Sequence, residues 1–326
     1  MKRLLSYLVL LPLLCTPYLA IGQGKEAIVH EAWLVHMESA GGWVAVEKGL
    51  YGKVKVKEVQ GEPGSSPIQK VVAAARAGNI AFGNDYPENI IRAREKEGID
   101  LLALSIDFQT SAMRIISWKP IKSAKDIRGD FGIWIGYDAR AKCAVGKGWE
   151  KQFTIQNQSE DIKPWLAGIW PLASAMTYNE LIAAQRETKK MGKSFYTIDY
   201  KDLGIDWMDN VFFTTEEIVK KYPDVVQAVV TGRYKGFQWA LENPKETFEM
   251  LKKIYEGLDF AHEMDAVAPM KPLMITPDTK KNGLGYILPK KWENVAREMF
   301  KAGLLEKMPD VKKVYTEKFP SGVMPK

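Results

Sequence analysis

The sequence predicts an α/β protein built as two lobes with a ligand cleft between them. Three observations carry this reading: short strand-like runs alternate with helical ones, the alternation restarts near residue 119, and a long helical tail follows with no sheet of its own to cover. The simplest arrangement returns that tail to the first lobe. Residues 23–118 and 209–326 would then form one lobe, and residues 119–208 would be an insertion joined to it by two crossing strands. A chain of 326 residues exceeds one ordinary core and accommodates two.

Ahead of the lobes, residues 1–22 read as a secretory leader: Lys2 and Arg3, an apolar run over 4–14, and the small residues Ala20 and Gly22. Pro12 and Pro17 interrupt the run, which is shorter than the roughly 20 residues that span a bilayer. The protein is thus expected in the periplasm with its leader removed. Cys15 follows Leu14 rather than a small residue, which argues against a lipid anchor. Cys143 is then the one cysteine left, so no intramolecular disulfide is expected.

In the first lobe, residues 27–35 read as a strand and 41–49 as a short helix. Lysine and valine alternate over 53–59, the period of a half-exposed strand, and 65–77 is a helix capped by Ser65 or Ser66 with Pro67 in its first turn. A strand at 80–82, a helix at 87–96 and a strand at 101–106 complete the unit. The second unit runs through a helix at 123–127, a strand at 131–135, a helix at 139–151, a strand at 153–156, a helix at 161–167 and an apolar strand piece at 172–176. A strand at 209–213 leads into helices at 216–220, 223–242, 244–255 and, after a Pro- and Gly-rich passage, 289–302. The hinge is expected at 117–119 and 207–213.

The formal charge of +6, two units of which leave with the leader, is spread among interspersed acids. It lacks the dense basic stripe of a nucleic-acid binder. The three histidines, His30, His36 and His262, show no H-E-x-x-H or other paired metal spacing, and G-x-S-x-G, Walker A and C-x-x-C motifs are missing from the sequence. No catalytic residue, metal ligand or cofactor is assigned.

Ligands of open α/β sheets bind beyond the strand C-termini, so the residues there are the candidates. After the first strand come Trp33 and Glu38, with Gly41 and Gly42 close behind. Asn84 and Asp85 follow the third strand, where they serve equally as helix caps. Gln109 follows the fourth, facing either the cleft or solvent. Trp134 and Tyr137 flank Gly136 in the second unit, and Tyr178, Asn179 and Glu180 join a ring, an amide and a carboxylate in one tetrad with Thr177. Several of the ten tryptophans sit at strand ends rather than on helix faces, a composition suited to stacking on a flat or cationic ligand.

At this level of detail the chain resembles the substrate-binding proteins of ABC importers for thiamine pyrimidine precursors, riboflavin and aliphatic sulfonates or taurine. The resemblance rests on Ala40-Gly41, Lys48-Gly49-Leu50-Tyr51, Ala77-Gly78-Asn79-Ile80-Ala81-Phe82-Gly83, Ser123-Ala124-Lys125-Asp126-Ile127-Arg128-Gly129, Asn243-Pro244 and above all Ala175-Met176-Thr177-Tyr178-Asn179-Glu180. It implies a type II periplasmic binding fold. It further implies a monomer that closes on a small, vitamin-precursor-like solute and delivers it to a membrane permease with its ATPase. Stacking rings would carry over to Trp33, Trp134 and Tyr178. Gly168-Ile169-Trp170-Pro171 departs from the family's usual G-x-x-D, which leaves a sulfonate-type ligand as the alternative. A pyrimidine-making enzyme on the same scaffold is the other alternative. Its iron and cysteine-rich motif are poorly matched by one cysteine and three scattered histidines.

Overall fold

The computed structural model describes residues 26–326, so the leader expected at 1–22 lies outside the described residues. In chain order the strands are β1 (Ala27–His30), β2 (Val56–Val59), β3 (Ile80–Asp85), β4 (Leu101–Phe108), β5 (Met113–Ser117), β6 (Gly129–Ile133), β7 (Phe153–Asn157), β8 (Leu172–Met176), β9 (Tyr196–Asp199) and β10 (Asp209–Thr215). They form two five-stranded sheets, ordered β2-β1-β3-β10-β4 and β7-β6-β8-β5-β9. In each sheet four strands run in one direction, and one long-range strand, β10 or β5, inserts antiparallel to its two neighbours.

The parallel strands need crossovers, which the helices supply. The first lobe uses α1 (Ala40–Glu47), α2 (Pro67–Arg76) and α3 (Pro87–Glu97); the second uses α4 (Ala139–Val145), α5 (Lys163–Leu166) and α6 (Glu180–Lys190). Ser66 caps α2 by accepting from the Gln69 N–H, with Pro67 at the first position, as its sequence predicts. The helix expected over 139–151 stops at Val145 because Gly146 takes φ +87°.

The tail returns to the first lobe as α7 (Glu216–Lys221), α8 (Pro223–Glu242), α9 (Pro244–Ile254), α10 (Phe260–Met274), α11 (Pro277–Asn282) and α12 (Pro289–Lys301). Helix α8 lies hard against α1: a Cβ on Gly41 would fall on the Phe237 ring, and one on Gly236 would strike the Gly41 carbonyl. Strand β10 is buried through its first six residues, and Phe212 stacks on Phe82 at 5.6 Å. Burial of each such ring contributes about 1.5–3 kcal/mol.

One boundary moves. The first crossing between sheets lies at 109–112, between β4 and β5, because Met113–Ser117 pairs with β8 and β9 of the second sheet. The hinge expected at 117–119 is therefore internal to the second lobe, where Ser117 faces Leu172 and Tyr196 and Trp118 stacks on Trp165 at 4.4 Å. The chain returns between Leu203 and Asp209, so most of the stretch expected at 207–213 is central strand rather than hinge. Lys291 of α12 ties the two crossings together, donating to Gln109 O and Asp206 Oδ1, both at 2.9 Å.

Candidate functional site

The loop after β1 carries Trp33 and Glu38 and is fastened from α10. Glu263 accepts from Met37 N at 2.8 Å with one oxygen and lies 2.8 Å from His36 Nδ1 with the other. Main-chain pairing also holds the loop, with Gly61 N donating to Trp33 O at 2.7 Å. After β3, Asp85 Oδ1 accepts from Tyr86 N and Asn89 Nδ2, which fixes Tyr86 at the start of α3.

From the second lobe, Trp134 follows β6 and anchors its indole N–H on Ser159 O at 3.0 Å. Tyr137 sets its ring against Tyr86 of the first lobe, centroids 4.6 Å apart and planes 73° apart. Tyr178 follows β8 and packs on Phe108 at 5.4 Å, with its hydroxyl bonded to the Glu38 carboxyl across the lobes. Glu180 folds back so that Oε2 accepts from Met176 N and Oε1 from Asn179 Nδ2, each at 2.9 Å. The Asn179 oxygen in turn lies 2.8 Å from His262 Nε2 on α10.

These residues enclose a pocket of about 370 Å³ between the lobes, walled by Trp33, Tyr86, Trp134, Tyr137 and Tyr178, with Met176, Asn179, Glu38 and Glu180 completing it. Both carboxyls are pushed up to about 7, first by burial and further by nearby acids, Glu38 for Glu180, and Glu31 and Glu263 for Glu38. No basic side chain lines the pocket among the described residues. A site with five aromatic faces, two readily protonated carboxyls and an amide suits a flat ligand that is neutral or cationic and donates hydrogen bonds.

Seven of the ten candidates thus meet in one pocket: Trp33, Glu38, Trp134, Tyr137, Tyr178, Asn179 and Glu180. The other three do not line this pocket and brace the first lobe instead. Asn84 donates to Asp107 Oδ2 at 2.7 Å inside the first lobe, and Asp85 is spent on Tyr86 and Asn89. Gln109 donates to Ile106 O and Tyr286 O. Tyr86 and Met176 line the pocket without having been singled out, although Tyr86 directly follows a candidate pair and Met176 ends the strand before the tetrad.

At the hinge, Arg140 of α4 is fully buried and reaches across to the first lobe. It pairs with Glu88 of α3 at 3.1 Å and with Asp209 of β10, and donates to Ser111 Oγ and Met208 O. Its charge lies 5.2 Å from the Tyr86 ring centroid, but the two acids neutralise it.

Two sheets joined by two crossings, with the pocket where they face one another, define a two-lobed periplasmic-binding-protein fold. The *Synechocystis* PCC 6803 periplasmic nitrate-binding protein NrtA superposes with a TM-score of 0.67 at 13% identity, covering 90% of this chain and 87% of its own. The *Escherichia coli* periplasmic aliphatic sulphonate-binding protein SsuA gives 0.62 at 13% identity, covering 93% and 94%. The chain belongs to the NMT1/THI5-like family, whose model matches residues 36–247. Over 311 residues it is also 21% identical to the riboflavin-binding protein RibY of *Chloroflexus aurantiacus*, covering 91% of this chain and 87% of that one.

Proposed function

We propose that this protein is the solute receptor of an ABC importer, exported to the periplasm, where it captures a small heteroaromatic molecule between its lobes and delivers it to a membrane permease. The observation that carries this reading is the pocket lining: aromatic rings from both lobes, two carboxyls and no basic side chain. A sulfonate or nitrate would meet two carboxyls and no counter-charge there, so the anion alternative loses support. The name of the RibY relative, a riboflavin binder, agrees with a flat heteroaromatic ligand.

Capture works by closure. A ligand favours the closed form only through contacts made with both lobes, and stacking between Trp33 of one and Trp134 or Tyr178 of the other supplies them. The motion is absorbed at 109–112 and 204–208, where the two crossings run. In this reading binding leaves the solute unaltered.

A thermal-shift panel tests the reading, because a ligand of the native state raises apparent stability by mass action. Hydroxymethylpyrimidine, thiamine, riboflavin, nucleobases, taurine and alkyl sulfonates form the panel. A rise with a heteroaromatic class is expected, and a rise confined to the sulfonates would overturn the ligand class.

A further inference from the structure

Two cations, one from each lobe, bind the two crossings to one another. Arg140 of α4, in the second lobe, donates to Ser111 Oγ on the first crossing and to Met208 O on the second, and pairs with Glu88 and Asp209 of the first lobe. Lys291 of α12, in the first lobe, donates to Gln109 O on the first crossing at 2.9 Å. On the second it reaches Asp206 Oδ1 at 2.9 Å and Trp207 O at 3.4 Å.

Their surroundings differ. Arg140, Glu88 and Asp209 are all fully buried, so a rotation that parted them would strand charges away from water. The Lys291 side chain is 16% exposed and that of Asp206 40%, so water takes the place of either partner when they separate. Two of the Lys291 acceptors are main-chain carbonyls on different crossings, and their directions turn with the dihedral changes that the crossings absorb. They converge on one ammonium in the closed arrangement, where Tyr86 meets Tyr137 at 4.6 Å and Asn179 lies 2.8 Å from His262.

We infer that Arg140 is the fixed pivot of the hinge and Lys291 a latch made only on closure, so that Lys291 is a positioning residue for capture although it lies outside the pocket. The latch touches no solute, and its contribution is therefore the same for every ligand. Losing it lowers the closed fraction of the free protein, and the apparent affinity for any solute falls with that fraction. A residue of the pocket wall would instead shift one solute relative to another.

Lys291→Met tests this, since methionine keeps the helix and leaves behind only carbonyls and an acid that water reaches. Calorimetric titration with each compound of the thermal-shift panel that binds, and small-angle scattering of the free protein, supply the readouts. Affinities are expected to fall by a common factor of about three to ten, the worth of one or two hydrogen bonds, and the free protein to scatter as a more open particle. Asp206→Asn should act in the same direction but less, and the double variant should be no weaker than Lys291→Met alone.

Unchanged affinities or an unchanged scattering profile in folded Lys291→Met would overturn the latch. A fall confined to some solutes would overturn it too, because it would place Lys291 in selection rather than closure. If no compound of the panel binds, the heteroaromatic reading falls by itself and scattering decides the latch: a profile identical to wild type overturns it, and a more open one supports it. If Lys291→Met does not fold, Asp206→Asn carries the same comparison from the exposed side of the latch.

Discussion

Asn179 of the second lobe and His262 of the first lie 2.8 Å apart, and this contact closes the pocket from the side of α10. Burial holds the His262 imidazole below its ordinary pKa of 6.5, so near neutral pH the ring is uncharged and its Nε2–H donates to the Asn179 oxygen. Helix α10 also grips the Trp33–Glu38 loop through Glu263, so one element braces both walls of the site. Arg186 of α6 adds an exposed pair with Asp265 at 2.7 Å along the same seam.

His262→Ala is therefore expected to open the seam and weaken ligand binding by about 0.5–1.5 kcal/mol, the net worth of one hydrogen bond. His262→Gln, which can restore an N–H donor, should recover part of the loss. Titration calorimetry gives the affinities, and small-angle scattering of the free protein reports the accompanying loss of closed form.

Removing the ring at Trp33 or at Tyr178 should each cost about 1–3 kcal/mol of binding if the ring is a desolvated anchor. Trp118→Phe, on a stacked pair remote from the pocket, should leave affinity unchanged. Unaltered binding in both ring variants would remove the site.

Arg140→Met should destabilise the fold by about 3–5 kcal/mol in denaturant titration, because Glu88 and Asp209 are left as buried, unpaired acids. Arg140→Lys keeps the charge but loses the planar fork that reaches Glu88, Ser111 and Met208 together, so it should rescue only partly.

Stability of the unliganded protein should fall as pH rises from about 4.5 to about 8. Glu38, Glu180 and Asp85 are each pushed up to about 7 and Glu58 to about 8, in every case chiefly by burial. A carboxyl raised above its ordinary value binds more protons folded than unfolded, so its contribution is present at low pH and lost on the way up. His36, raised by Glu263, acts in the same direction. His30 and His262, lowered by burial, act in the opposite one, favouring the fold above 6.5 and losing that contribution as pH falls through it. Melting temperatures across this window check the sign, and Glu180→Gln should flatten the slope.

Much of this was legible in the sequence where the signals are local. Alternating strands and helices gave two α/β units, and the rule that ligands sit beyond strand ends gathered residues from three loops that do meet. The rest depended on which partners a segment or side chain finds in the folded lobe. The apolar stretch Met113–Ser117 carries the same strand signal whichever sheet it joins, so the crossing at 109–112 stayed hidden. Asn84, Asp85 and Gln109 stand at strand ends, but their hydrogen-bond partners lie inside the first lobe, and polarity alone does not separate a brace from a ligand contact. Helix α10 was masked by Pro269 and Pro272, which lack the N–H a helix interior uses. With it went His262 and Glu263, the latter more than two hundred residues from the loop it holds.

The most direct measurement is isothermal titration of one uncharged heteroaromatic solute and one alkyl sulfonate, each into the wild type and into Tyr178→Ala. The expected result is saturable one-to-one binding of the heteroaromatic, weakened by the substitution, with no measurable heat from the sulfonate. Tight sulfonate binding, or heteroaromatic binding indifferent to Tyr178, would contradict a ring-lined pocket as the place where solute is held.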